Sequence, residues 1–442
     1  MTSQPLGLAA AVAALEGARR RTLALTDLGE DDLTRQHSPL MSPLVWDLAH
    51  VGQQEEHWLL VRSGRVDATV FEPEIAALYD AFQHPRATRT RLPLLSPAES
   101  RTRIAAVRAR TLDKLDRAPA DQPHFVAGLL AQHEQQHVET MLATHQFRRG
   151  EPVLVAGSAA AGRVASCDAV LVPGGPFRCG ADPLVEPWAL DNEQPQHWVE
   201  LPAFRIARFP VTNGEWLEFI AAGGYNEPRW WSRQGWAHRQ DQGLVAPLFW
   251  SPDGARGWLR RRFGVAEEVP VGEPVQHVCW HEARAYARWA GARLPTELEW
   301  EKACGWDPVA GRRRRWPWGA EAPTASRCTL GGATLRPAAI GAHPSGASAH
   351  GVEQLIGDVW EWTSSAFAPW RGFQPMLYDT YSAPFFDGCY RVLRGGSWAT
   401  DPVAVRPSFR NWDLPIRRQI FCGVRLAWDA AEADDDATPV AG

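Results

Sequence analysis

Apolar residues recur at helical spacing in four long segments of the first 150 residues, which predicts four helices. The predicted helices cover about residues 6–28, 43–64, 96–117 and 122–149. Ser96-Pro97-Ala98-Glu99 is a capping box with proline at the first helical position, and Ser42-Pro43 is a similar helix start. Gly64 and Gly150 are natural helix stops. Four long helices joined by loops favour an antiparallel bundle, so we predict an all-α four-helix domain over residues 1–152.

A long connection separates the second and third predicted helices. Residues 64–95 contain only one short helical pattern, at about 73–82. Connections of this length in a compact domain tend to carry function, so this segment is a candidate part of a functional site.

The rest of the chain has a different pattern, in which short apolar runs are interrupted by Gly, Pro and Trp. Helices are predicted at about 213–222 and 281–290, and Leu294-Pro-Thr-Glu marks a further helix start. Loops therefore make up most of this region. The pattern predicts an irregular α+β domain over residues 165–430.

Histidine and tryptophan are divided unequally between the two regions. Eight of the fourteen His lie in the first 150 residues, whereas twenty of the twenty-two Trp follow them. The stretch 150–162, rich in Gly, Ala and Val, is predicted to link the regions, and residues 431–442 are predicted to be a disordered tail. We therefore expect a multi-domain chain with two differently built domains.

Composition and charge exclude several classes of function. The net charge of −5 provides no basic surface for nucleic acid, and no apolar run approaches the roughly 20 residues of a membrane span. There is no secretory signal pattern, and the seven Cys include no C-x-x-C pair that would indicate a thiolate zinc site. We expect a monomeric, cytoplasmic protein that acts on small molecules.

His133-Glu-Gln-Gln-His137 places two imidazoles at i and i+4 on one face of the fourth predicted helix. That spacing lets both bind one metal, and bundle cores hold metals between facing helices. His50, in an apolar stretch of the second helix, is a candidate third ligand. His57 lies two turns later on the same face, and spacing alone does not choose between them. Three neutral imidazoles suit Fe(II) with open positions for substrate and O₂, and equally suit a catalytic zinc.

The same pentapeptide matches the zinc-metallopeptidase motif H-E-x-x-H, in which Glu134 would be the general base. Such enzymes supply a third ligand downstream, but neither Glu139 nor His145 has a known spacing. A further alternative is a lectin-like binding protein without enzymatic activity, in which the histidines are structural. The pattern of histidines by itself leaves these alternatives open.

Six motifs of the second region form a recognisable series. They are Pro210-Val-Thr-Asn-Gly-Glu-Trp, Trp280-His-Glu-Ala-Arg, Arg293-Leu-Pro-Thr-Glu-Leu-Glu-Trp-Glu, Gly357-Asp-Val-Trp-Glu-Trp, Arg394-Gly-Gly-Ser-Trp and Gly423-Val-Arg-Leu. In this order they resemble the formylglycine-generating-enzyme (sulfatase-modifying-factor) fold, a variant of the C-type-lectin type. Formylglycine-generating enzymes hold copper with two cysteines shortly after the Gly-Gly-Ser motif, and residues 399–408 contain none. The resemblance therefore implies the fold without that activity.

The first region resembles the DinB-like four-helix bundle, whose members often carry three metal-binding His. Its join to the second fold resembles the sulfoxide synthases of ergothioneine biosynthesis, the hercynine oxygenases. The matching segments are Trp46-Asp-Leu-Ala-His50, His84-Pro-Arg-Ala-Thr-Arg89, His133-Glu-Gln-Gln-His137, Tyr378-Asp-Thr-Tyr381 and Asn411-Trp-Asp-Leu-Pro-Ile-Arg-Arg-Gln-Ile-Phe421. The resemblance implies a non-haem Fe(II) bound by His50, His133 and His137, and so favours His50 over His57.

Enzymes of this family join the sulfur of a thiol to C2 of the imidazole of hercynine (Nα-trimethylhistidine), using O₂, and leave a sulfoxide. By resemblance, Tyr378 is the catalytic proton donor and Gln136 hydrogen-bonds substrate near the metal. Tyr381 and Trp412 would pack on the trimethylammonium group, because aromatic faces attract quaternary cations. Without the resemblance, ordinary packing would be the simpler expectation for each of these aromatic residues.

Three charged residues carry the inference about the thiol. In the branch of the family that uses γ-glutamylcysteine, two Arg hold carboxylates and an Asp meets the α-ammonium group. The matching residues are Arg86, Arg417 and Asp413, with Arg89 as a neighbour, and the Arg fork suits a carboxylate. The spacing of Asp413 and Arg417 would also fit a simple i,i+4 helix pair. We expect γ-glutamylcysteine as the thiol, with free cysteine as the alternative.

Overall fold

The structure is a computed structural model that describes residues 7–62, 69–119, 124–163, 168–254 and 257–430. The predicted tail, residues 431–442, lies outside the described residues. The described part of the first 150 residues contains the helices α1 (Leu8–Leu25), α2 (Glu30–Thr34), α3 (Leu44–Glu55), α4 (Pro73–Ala77), α5 (Pro97–Asp116) and α6 (Phe125–Phe147).

Helices α1, α3, α5 and α6 pack around one apolar core, which confirms the predicted four-helix bundle. The capping box at the start of α5 is also confirmed, since Ser96 Oγ accepts from the backbone N–H of Glu99 and the Glu99 carboxylate accepts from that of Ser96. The start of α3 differs slightly from the prediction. Ser42 does not cap it, because its hydroxyl accepts a hydrogen bond from Arg89 at 2.6 Å.

Two predicted helices in this region end earlier than expected. The second predicted helix is α-helical only to Glu55 and continues as a π-helical turn, Glu56–Val61. The predicted short helix at 73–82 is reduced to α4. The chain turns there because the Asp80 carboxylate accepts hydrogen bonds from the backbone N–H groups of Phe82 and Gln83, which stabilises a turn in competition with a helix.

Four charged side chains, one from each long helix, form a buried ion-pair cluster inside the bundle. Arg19 of α1 lies 2.8 Å from Glu134 of α6 and 2.8 Å from Glu55 of α3. Arg108 of α5 lies 2.8 Å from Glu55 and 3.1 Å from Glu134. Mutual pairing offsets the cost of burying these charges. The cluster fixes the rotation of α6, so that the side chain of the next residue back, His133, points about 100° away from it.

The second region has the predicted irregular α+β character. Its helices are α7 (Asn213–Ala221), α8 (Arg233–Asp241), α9 (Trp280–Trp289) and α10 (Glu297–Gly305). Its strands are β1 (Ala169–Val172), β2 (Gly175–Cys179), β3 (His197–Leu201), β4 (Phe204–Ala207), β5 (Trp250–Asp253), β6 (Gly257–Arg262), β7 (Val265–Glu268), β8 (Trp306–Asp307), β9 (Arg312–Arg313), β10 (Trp360–Ala366), β11 (Arg391–Arg394), β12 (Asn411–Asp413), β13 (Cys422–Gly423) and β14 (Ala427–Asp429).

The strands form small sheets that are mostly antiparallel. One has the order β1-β4-β14 and another the order β12-β11-β10-β13, in which β10 and β13 are parallel. Buried ion pairs such as Arg425–Glu361 at 2.7 Å and Arg410–Glu297 at 2.8 Å hold the loops between them. None of the described helices combines the length and apolar character that crossing a bilayer requires.

The bundle contacts the second region along α6. Gly128 lies directly against the indole of Trp188, since a Cβ added there would be 2.3 Å from the ring. One turn later, Gln132 Oε1 accepts a hydrogen bond from Arg406 at 3.0 Å. This close contact places the face of α6 that carries His133 and His137 between the two domains.

Candidate metal centre and adjoining cavity

Three histidines from two bundle helices converge at the interface between the domains. His50 of α3 and His133 and His137 of α6 each offer a ring nitrogen, and these nitrogens all lie within 4.8 Å of one another. The ring centroids are 4.6 to 5.2 Å apart. The structure therefore brings together the three histidines that the resemblance implied as metal ligands. No other group of three or more His, Cys, Asp or Glu with metal-binding geometry occurs among the described residues.

Hydrogen bonds orient two of the three rings. The Nδ1 atom of His50 lies 2.8 Å from the backbone oxygen of Tyr79, and that of His137 lies 2.8 Å from Asp47 Oδ1. These contacts fix the tautomer in which Nδ1 carries the proton, leaving Nε2 of both rings available as a ligand. The indole of Trp46 stacks on His50 at 4.4 Å and holds the ring in place.

Burial favours the neutral, metal-binding form of His50 and His133. Burial, and then the proximity of the other histidines, hold the pKa of His50 well below its ordinary value. Burial likewise lowers the pKa of His133, with His137 as the second cause. Metals bind neutral imidazole, so a low pKa reduces competition from protons. The set of three imidazole donors therefore fits a divalent transition metal.

A cavity of about 420 Å³ adjoins the three histidines and is lined by both domains. From the bundle come the His side chains, Gln136 and Arg86; from the second domain come Tyr378, Tyr381, Trp412, Asp413 and Arg417. Its volume lies within the range usual for small-molecule sites. All but one of the predicted site residues thus meet in one cavity.

The two predicted tyrosines differ in how they are held. Gln136 Nε2 donates a hydrogen bond to the Tyr381 hydroxyl at 2.8 Å, which links α6 to the loop after β10. The Tyr378 ring packs on Trp58 at 4.8 Å, and its hydroxyl makes no hydrogen bond to any group in the described part of the chain. Burial raises the pKa of Tyr378 to about 12 and also raises that of Tyr381.

The end of the cavity formed by β12 carries charges of both signs. Asp413 lies 3.6 Å from Arg417 Nε, and Arg86 is near enough to act on the Asp413 carboxylate electrostatically. Burial raises the pKa of Asp413, while Arg417 partly opposes the shift. Asp413 ends a β-strand, so the interpretation of this pair as an i,i+4 helix contact is wrong. Trp412, on the same strand, stacks on Phe367 at 4.2 Å and contacts Tyr381 edge-on.

Arg89 is the predicted site residue that the structure does not bring to the cavity. Its guanidinium is buried, donates to Ser42 and to the backbone oxygen of His84, and lies 3.4 Å from the centre of the Trp46 ring. Arg89 therefore packs on the same indole that stacks on the candidate ligand His50. Burial lowers the pKa of Arg89 to about 10.

The other histidines and acids that the sequence pattern offered as ligands lie elsewhere. His57 packs edge-on against Trp58, and His145 lies 2.8 Å from the backbone oxygen of Leu25. Glu134 belongs to the buried ion-pair cluster. Glu139 lines the cavity but is engaged by second-domain donors, since Trp360 Nε1, Ser397 Oγ and Thr400 Oγ1 all donate to it at 2.7 Å.

Sequence reasoning did not single out Asp47 or the interdomain role of Glu139. Asp47 precedes His50 by three residues and so shares its helix face, a spacing that could have indicated an orienting carboxylate. No sequence signal links Glu139 to the distant donors of the second domain, because that contact depends on how the domains pack.

Two family models match the chain. The sulfatase-modifying factor enzyme 1-like domain matches residues 157–430, and the DinB superfamily matches residues 14–141. The formylglycine-generating enzyme of Streptomyces coelicolor is 32% identical over 287 residues, which cover 59% of this chain and 89% of that protein. The chain thus joins a DinB-type bundle to a sulfatase-modifying-factor-like domain, with a candidate three-histidine centre between them.

Several relatives match both domains. A hercynine oxygenase of Mycolicibacterium smegmatis is 61% identical over 419 residues, which cover 93% of this chain and 97% of that protein. A hercynine oxygenase of Mycobacterium tuberculosis is 58% identical over 417 residues, covering 94% and 97% respectively. The chain belongs to the hercynine oxygenase family.

Proposed function

We propose that this protein is an iron- and O₂-dependent sulfoxide synthase of ergothioneine biosynthesis. It joins the sulfur of γ-glutamylcysteine to C2 of the imidazole of hercynine. The thiol loses its S–H bond, the imidazole loses its C2–H bond and a C–S bond forms. One oxygen atom of O₂ becomes the sulfoxide oxygen and the other leaves as water, so the four electrons removed from the substrates reduce O₂. The convergence of His50, His133 and His137 on one point of a two-domain cavity carries this proposal.

His50, His133 and His137 would hold the metal. When bound, Fe(II) at a three-histidine site supplies the one-electron steps and open positions that O₂ chemistry requires. The protein supplies orientation: Tyr79 and Asp47 fix the rings of His50 and His137, and both domains provide the walls that hold the substrates.

Tyr378 is suited to deliver a proton inside this cavity. Its hydroxyl has no competing partner among the described residues, and its pKa of about 12 keeps it protonated at neutral pH. A phenol of this kind donates only to a strongly basic oxygen. That selectivity supports a role in O₂ reduction during coupling, while the hydrogen-bonded Tyr381 and Gln136 are suited to orient substrate.

The charges of the cavity match the polar groups of the two substrates. Arg86 and Arg417 can each bind a carboxylate of γ-glutamylcysteine, and Asp413 can accept a hydrogen bond from its α-ammonium group. The face of Trp412 and the ring of Tyr381 are suited to the trimethylammonium group of hercynine. Free cysteine carries one carboxylate and would leave one of the two arginines without a substrate carboxylate to bind, which is why the dipeptide is favoured.

The geometry does not favour a zinc peptidase. In that mechanism Glu134 must reach a water on the metal. Its carboxylate instead accepts hydrogen bonds from Arg19 at 2.8 Å, Thr22 at 2.9 Å and Arg108 at 3.1 Å, and it does not line the cavity. Replacing Glu134 by Gln is therefore expected to destabilise the bundle and not to reveal a lost hydrolytic activity.

The proposal is tested by an aerobic assay of the iron-loaded protein with hercynine and either γ-glutamylcysteine or cysteine. We expect coupled sulfoxide with γ-glutamylcysteine, a much lower kcat/KM with cysteine, and no coupled product from His133→Ala or from zinc-loaded protein. Full turnover by His133→Ala would contradict the assigned centre. A preference for cysteine would overturn the assignment of the thiol while leaving the reaction type intact.

A further inference from the structure

The orientation of Tyr378 depends on contacts between rings. Its ring packs on Trp58 at 4.8 Å with 34° between the ring planes, and it meets Tyr381 edge-on at 5.8 Å. Tyr381 is itself anchored through its hydroxyl by Gln136, whereas the Tyr378 hydroxyl has no such anchor among the described residues. The indole of Trp58 is therefore the main rigid surface behind the Tyr378 ring.

Trp58 is rigid because of where it lies. It belongs to the π-helical turn Glu56–Val61, which is marked by an i to i−5 hydrogen bond from the backbone N–H of Arg62 to the oxygen of His57 at 3.0 Å. Trp58 is only 6% exposed, and its Nε1 donates to Gln54 Oε1 at 3.0 Å. Turns of this type are found at functional sites, where they redirect a side chain away from its α-helical position.

Glu56 anchors the same turn at its start. Its carboxylate accepts hydrogen bonds from the backbone N–H groups of Val70 and Phe71 at 2.5 and 2.9 Å. The turn continues α3 directly, so the helix that carries His50 also carries Trp58. One continuous element thus holds a candidate metal ligand at one end and the support for Tyr378 at the other.

We propose that Trp58 is a positioning residue for Tyr378. Its indole holds the phenol ring so that the hydroxyl stays in the cavity that the three histidines also line, and it thereby favours coupling over oxygenation of the thiol alone. In that side reaction the thiol takes up both atoms of O₂ to give a sulfinic acid, and the imidazole keeps its C2–H bond. The effect on products rests on the proposed function; the effect on the position of Tyr378 does not.

The first test needs no metal and no substrate. The protein is labelled with 3-fluorotyrosine, and the ¹⁹F resonance of Tyr378 is identified by its absence in Tyr378→Phe. In Trp58→Leu we expect this resonance to move towards the value of an exposed tyrosine and to sharpen, because the ring-current field and the restraint of the indole are lost. Trp58→Phe keeps an aromatic face and should give a smaller change. Leu60→Ala, a truncation in the same buried turn, should leave the resonance in place.

The second test measures the ratio of coupled sulfoxide to sulfinic acid in the iron-loaded protein. We expect Trp58→Leu to lower this ratio by roughly three- to tenfold, the range that corresponds to loss of one aromatic pair. Trp58→Leu should shift the product ratio in the same direction as Tyr378→Phe does. The double variant should have the same ratio as Tyr378→Phe alone, because both substitutions act through one hydroxyl. Leu60→Ala should keep the wild-type ratio even if its total rate falls.

The outcomes separate the two proposals. If wild-type protein makes no coupled product, the proposed function fails and the ¹⁹F spectrum still decides the role of Trp58. An unchanged Tyr378 resonance in Trp58→Leu overturns the positioning role. So does a product ratio that falls equally in Leu60→Ala, or one that falls further in the double variant than in Tyr378→Phe.

Discussion

Replacing Asp47 by Asn should weaken metal binding while leaving the bundle folded. The Asp47 carboxylate is 1% exposed and lies 2.8 Å from Nδ1 of His137. An amide in its place keeps the shape and one acceptor oxygen but removes the charge that makes the imidazole a stronger ligand. Loss of such an orienting partner typically costs 10- to 100-fold in metal affinity, so we expect Kd to rise by that factor, or about 1.4–2.8 kcal/mol.

The assay is an anaerobic competition for Fe(II) between the protein and a chromogenic chelator. Asp32→Asn is the matched control, because Asp32 is also an ion-paired aspartate of the bundle but binds Arg148 and is not part of the three-histidine group. The control should bind iron as the wild type does, and thermal unfolding of the metal-free proteins should show that both variants are folded. Wild-type affinity in Asp47→Asn would refute the argument that this carboxylate prepares His137 for metal.

Three further predictions follow from the cavity and the bundle. Tyr378→Phe should reduce sulfoxide while thiol oxygenation persists, and an unchanged product ratio would remove its role as proton donor. Because burial raises the pKa of Asp413, KM for the thiol should rise as the pH falls and the carboxylate is protonated. Asp413→Asn should show a KM that is roughly 10- to 100-fold higher and does not depend on pH in this range. Gly52→Ala should lower the unfolding temperature, because the added Cβ would lie 2.3 Å from Ile104 Cγ2 and such overpacking costs about 1–3 kcal/mol. Gly17→Ala is the control: its Cβ meets no such neighbour, so the higher helix propensity of alanine should raise the unfolding temperature.

The helices of the bundle could be predicted from the sequence because they depend on residues only three or four positions apart. The capping box of Ser96 and Glu99 depends on residues three apart, and the pairing of His133 and His137 on one helix face follows from helical geometry. The choice of His50 over His57 could not be made in this way. It came from the resemblance, and the structure agrees with it because His57 packs against Trp58 and lies outside the group of three.

Features that depend on packing between distant segments escaped prediction. Arg89 has the same charge and the same local turn as Arg86, yet it is buried on Trp46 because Ser42 and His84 engage its guanidinium. Asp413 and Arg417 have a helical spacing but belong to a strand and the loop after it, since Asp413 pairs with Arg391 of β11. Nothing in the local sequence of either pair records these tertiary contacts.

The most direct test of the account is the mass of the product that the iron-loaded protein forms from hercynine and γ-glutamylcysteine under ¹⁸O₂. The account predicts one species with the combined mass of both substrates, less two hydrogens and plus one ¹⁸O atom. Absence of that species, or an unlabelled oxygen in it, would contradict the claim that three histidines at this interface support oxidative coupling by O₂.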